Sequence, residues 1–71
     1  MQIDEIHKLE NALAQAHSPV ERLRLLNELS WSLISGQSQR ARSLAEEAHQ
    51  LALELQNEAG LAYSLLVIGS V

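Results

Sequence analysis

The sequence predicts an all-α chain of about four helices, and three observations carry that expectation. One proline and three glycines are set among 71 residues dominated by Leu, Ala, Glu and Gln, a balance that favours helix. Apolar residues recur three and four apart along most of the chain, the spacing that lines one side of a helix. Ser18-Pro19, Gly36 and Asn57 then fall between the periodic stretches, where helix starts and stops are expected.

The first helix is expected from about Ile3 to Ala16. Ile3, Ile6, Leu9 and Leu13 share a side, while Asp4, Glu5, Lys8 and Glu10 occupy the other, so this helix lies on top of something. The second is expected over about 19–34. Ser18 is placed to cap it, Pro19 suits the first turn, and Glu21 completes a capping box. Leu23, Leu26, Leu29 and Leu33 form its inner stripe. Gly36 then offers the left-handed conformation in which many helices end.

The third helix is expected over about 38–56, with Ala41, Leu44, Ala48, Leu51 and Leu55 inward and Ala45 and Ala52 beside them. Alanines on a buried face let neighbouring backbones approach closely, as tight antiparallel pairs need. Asn57 interrupts the pattern, and a fourth helix is expected over about 59–71. It differs from the rest. Leu61, Leu65 and Ile68 face one way, Leu66 and Val67 another, and no charge falls between Leu61 and Val71. A helix apolar nearly all round is normally covered from several sides.

Composition narrows the function. The chain is one small domain at most, 1–71, and has no cysteine for a disulfide or a Cys-based zinc site. A formal charge of −4 argues against nucleic acid or an anionic membrane as partner. The N-terminus, MQIDEIHKLE, lacks the layout of a signal peptide, and the apolar tail is short of the roughly 20 residues that span a bilayer. A soluble, cytoplasmic protein is the expectation.

Read as a unit, LLNELSWSLISGQSQRARSLAEEAHQLALELQNEAGLAYSLLVIG resembles a tetratricopeptide repeat followed by the first helix of the next. In that family one helix carries large apolar residues three apart and then a small one, as Leu26, Leu29 and Ser30 do here, with Leu33 where tyrosine is usual. The partner helix carries small residues seven apart, matched by Ala41 and Ala48. Leu65, Ile68 and Gly69 repeat the first theme at an offset of 39 residues, against the family's usual ~34. The turn between the helices is a residue short, Ala45 stands where an aromatic is commoner, and no proline closes the repeat. LLNELSWSL and AGLAYSLLVIG are similar to N-terminal repeats of bacterial signalling proteins such as cyclases.

The resemblance implies antiparallel hairpins stacked into a right-handed superhelical fragment that binds a protein or peptide. Asn27 and Trp31 would line the partner groove, with Leu66 and Ser70 as their counterparts in the last helix. Because a repeat covers its apolar face by stacking, the tail reads as half a repeat. Leaving its large side chains in water forfeits about 1.5–3 kcal/mol each, comparable in sum with a small domain's stability. A lone copy is therefore expected not to persist. Leu61, Leu65, Ile68 and Val71 would join a second copy, or further repeats of a parent chain.

Catalytic and metal chemistry are expected to be absent, with no cofactor. His7 and His17 are spaced too far apart for a metal pair. Glu46 and His49 have the Glu-x-x-His spacing of di-iron bundles, yet Ala48 takes the core direction and no other inner stripe carries a glutamate. There is no Gly-rich phosphate loop and no nucleophile beside a base, so no enzyme is expected. A different reading sets Gln39, Arg40 and Arg42 at the start of a helix-turn-helix reading helix, against which stand the helix's length and a total of five Lys and Arg. Two alternatives to a peptide-binding scaffold thus remain: a small DNA-binding regulator, and the regulatory segment of a signalling protein.

Overall fold

The computed structural model describes residues 2–70, with side chains from Asp4 onward. The inner-face position expected of Ile3 and the self-association role expected of Val71 lie outside the described residues. Four helices follow in order: α1 Gln2–Ala14, α2 Pro19–Leu33, α3 Ser38–Leu55 and α4 Glu58–Ser70. No strand occurs among the described residues.

α2 is the hub, packing directly on each of the other three helices. Its stripe is the one the spacing predicts: Leu23, Leu26, Leu29 and Leu33 are all buried, and Leu25 with them. Leu23 and Leu26 meet Ala48 and Ala52 of α3, with Leu13, Leu44, Leu51, Leu55 and Leu61 closing around them. Leu29 and Leu33 meet Ala41, with Ile6, Leu9 and Leu13 of α1 laid over the top. Ala41, Ala45, Ala48 and Ala52 are the fully buried residues of α3, so the leucines of α2 reach almost to the α3 backbone. Each such leucine contributes about 1.5–3 kcal/mol.

Cross-links fix the directions. Arg22 pairs with Glu47 at 2.8 Å, which sets α2 and α3 antiparallel about residues 34–37. Arg40 pairs with Glu10, tying α3 to α1 by its side chain. Both pairs are substantially exposed and steer register more than they stabilise. α4 lies parallel to α2, with Gly60 against Leu23 and Tyr63 against Trp31.

Three local expectations are corrected. Ser18 holds the N-cap position with extended backbone, and its carbonyl accepts the Arg22 N–H at 2.9 Å, yet its hydroxyl makes no cap bond; the capping box is not formed. Gly36 is not left-handed, because α2 ends in tighter turns, with Gly36 N–H and Gln37 N–H both donating to Leu33. The left-handed residue is Gln56 at φ 55° and ψ 39°, where Asn57 N–H returns to Ala52 and Gln56 N–H to Leu53. This is a Schellman-type ending. Asn57 then caps α4, its Oδ1 accepting the Gly60 N–H at 2.8 Å.

α4 sets against α2 residues that the spacing does not single out. Its inner residues are Gly60, Ser64 and Val67, whereas Leu65 and Leu66 face out. A Cβ on Gly60 would fall 2.6 Å from Leu23 Cδ2, so absence of a side chain is what admits α4 to α2. Ser64 is fully buried and donates to its own helix at Leu61 O, as Ser30 does at Asn27 O, each at 2.9 Å. Ser30 and Ser64, and likewise the buried Leu33 and Val67, are 34 residues apart. The 39-residue offset instead pairs the buried Leu29 and Ser30 with the half-buried Ile68 and the exposed Gly69.

Two predictions follow the packing. Gly60→Leu lowers stability by about 1–3 kcal/mol through overpacking, while Gly69→Ala, with nothing within 4 Å of the new Cβ, loses none; equal losses in urea melts would contradict the close approach. Gln56→Gly relieves a left-handed side chain worth about 1 kcal/mol, raising Tm by about 4–8 °C, and a lowered Tm would count against the left-handed ending.

Candidate functional site

The α2–α4 face gathers most of the residues singled out for recognition. Trp31 is 49% exposed, and its ring meets Tyr63 edge to face at 6.2 Å between centroids and 68° between planes. Such pairs contribute about 0.5–1.5 kcal/mol beyond area burial, so each ring holds the other in place while both keep a face open. Asn27 lies one turn before Trp31 but is only 5% exposed. Its Nδ2 donates to Gly60 O at 3.3 Å, and its Oδ1 is buried with no protein partner. Asn27 thus knits α2 to α4, which an open groove residue would not do.

Two cavities flank the aromatic pair. One, of about 340 Å³, is lined by Val20, Leu23, Asn27, Asn57, Gly60 and Tyr63, with the Arg24–Glu28 pair at its rim. The other, of about 450 Å³, is bounded by Glu5, Trp31, Ser32, Ile34, Ser35 and Ser70. Trp31 and Ser70 thus share a cavity. Leu66, 56% exposed, lines neither.

Leu61 and Leu65 lie 34 residues on from Asn27 and Trp31, and Leu66 and Ser70 lie 39 on. Asn27 and Trp31 are the positions at which α2 meets α4. Leu61 is half-buried, Leu65 is 51% exposed, and Ile68 is half-buried. Of the residues expected to join a further helix, Leu61 packs on the chain's own core beside Leu23 and Leu26, whereas Leu65 faces out.

The remaining candidates sit elsewhere. Arg40 is held by Glu10 and Arg42 reaches Glu46 at 3.6 Å, so both arginines of the DNA-binding reading face carboxylates, and Gln39 is exposed beside them. Glu46 is exposed and His49 half-buried. Among the described residues no three His, Cys, Asp or Glu gather as a metal site, and no helix is long and apolar enough to cross a membrane.

Sequence reasoning missed Tyr63 and Gly60. Both follow from Ser30 and Ser64 taken as equivalent small residues, for that alignment sets Tyr63 on the side that meets α2. Compared with protein-family models, curated proteins and solved structures, the chain matches none.

Proposed function

We propose that this chain is a protein-interaction module of tetratricopeptide-repeat type, which takes a peptide segment on its α2–α4 face. The observation that carries this reading is the Trp31–Tyr63 pair, half-open to solvent between two cavities. Tryptophan and tyrosine are enriched among the residues that dominate interface energies. Here they are also pre-ordered, so binding sacrifices little side-chain freedom. The architecture supports the repeat reading: consecutive helices pack as hairpins, α2 and α4 run parallel, and buried small residues return at the family's ~34-residue period.

A second contact surface accompanies the first. The outward face of α4 presents Leu65 and Leu66, each about half exposed, with no charge from Ala59 to Ser70. Two such faces meet without opposing like charges. Self-association through Leu65, with Leu66 beside it, is the use this reading assigns to it.

Peptides selected from a random library on the immobilised chain are expected to lose tenfold or more in affinity on Trp31→Ala, the magnitude of a hot spot. The same peptides should be indifferent to Leu53→Ala, a comparably exposed apolar residue on α3. Equal binding to Trp31→Ala and the parent would refute the groove. Light scattering across a concentration series should show a dimer or larger species that Leu65→Glu together with Leu66→Glu returns to a folded monomer; a parent already monomeric at high concentration would refute self-association.

A further inference from the structure

The outward side of α4 reads the same in both directions. Ala62, Leu65, Leu66 and Gly69 are all exposed, and the order small, large, large, small is symmetric about the point between Leu65 and Leu66. We infer that this side of α4 binds the same side of α4 in a second copy. The two helices run antiparallel about a twofold axis that passes between Leu65 and Leu66. This deepens the self-association reading and rests on it.

In a twofold pair, residue i meets residue j and j meets i. With the axis there, Leu65 meets the partner's Leu66, and Ala62 meets the partner's Gly69. The antiparallel arrangement also sets the positive N-terminal end of each helix dipole beside the negative C-terminal end of the other. A parallel pair brings like ends together.

Charge selects this face among those the chain presents. No residue from Ala59 to Ser70 is charged, although the chain carries −4. Two copies meeting through the outer side of α3 would instead oppose the exposed Glu46, Glu47 and Glu54, and like charges placed opposite one another are costly.

The chain already packs one antiparallel pair by the same spacing. Ala41 and Ala48, and likewise Ala45 and Ala52, stand seven apart and are buried on α3, where the leucines of α2 close on them. Ala62 and Gly69 have the same separation, two turns of helix on one side. Nothing lies within 4 Å of a Cβ built on Gly69, so a second backbone has room to approach. Leu65 and Leu66, 51% and 56% exposed, flank that seam and leave water as the helices close.

The chain has no cysteine, so introduced cysteines report the register under mild oxidation. A disulfide needs Cα atoms within about 7 Å. The inferred pair sets Ala62 of one copy against Gly69 of the other, while the two Ala62 stand about 10 Å apart along the axis. An equal mixture of Ala62→Cys and Gly69→Cys chains is therefore expected to cross-link about tenfold faster than either variant alone. Either variant linking to itself as fast as the mixture overturns the inference. So does a mixture that links no faster than Leu53→Cys, an exposed control on α3. Ala62→Leu supplies a second test, because it adds apolar area to a loose contact but obstructs a seam closed on small residues. Its dimer Kd is expected to rise about tenfold with helix content unchanged, and tighter association would overturn the inference. A dimer by light scattering without this cross-link pattern removes the register and leaves self-association standing, whereas a monomer removes both.

Discussion

Everything in this fold depends on how closely α2 can be approached. Four leucines of α2 project from one side, and the fully buried residues they meet on α3 are alanines, with Leu44, Leu51 and Leu55 beside them. A larger residue at Ala41, Ala45, Ala48 or Ala52 would hold the two backbones apart and leave the leucines partly in water. The same device recurs at α4, where Gly60 clears the space that Leu23 fills and offers its carbonyl to Asn27. Interiors packed to crystal-like density respond to a change of even one methylene, so these small residues act as the spacers that set interhelical distance.

From that spacing the functional face follows. Drawing α4 against α2 at Gly60 brings Tyr63 to the edge of Trp31. Neither ring then needs burial to be ordered. The buried amide of Asn27 spans the same junction, joining the two helices through Gly60 O. A surface built from the sides of two rigid helices keeps its shape without a partner, as efficient recognition requires. The outward face of α4 differs: Leu65 and Leu66 stand about half exposed there.

Much of this was legible in the residues. The α2 stripe could be read because its leucines alternate with Arg22, Arg24 and Glu28, which leave one direction for the core. The α3 stripe was equally plain, and helix limits fell within a few residues of those expected, as cap and breaker residues allow. The inward side of α4 is not legible in this way, for a physical reason. The helix is apolar on all sides, so periodicity gives it no preferred direction, and spacing only groups Leu61, Leu65 and Ile68 apart from Leu66 and Val67. The fold instead turns its small residues inward, because distance to α2 matters more there than area buried. The left-handed ending was misplaced for a related reason: Gly36 can adopt that conformation without needing to, while Gln56 is driven into it by the Ala52 and Leu53 carbonyls.

The most direct test of the account is an NMR titration of the isotope-labelled chain with a library-selected peptide. The account predicts that shifts concentrate on the Trp31 indole, the Asn27 side-chain amide and the Tyr63 ring, with the α3 alanines unmoved. Shifts gathered instead on Leu65 and Leu66, with Trp31 and Asn27 silent, would contradict it and assign recognition to the outward face of α4.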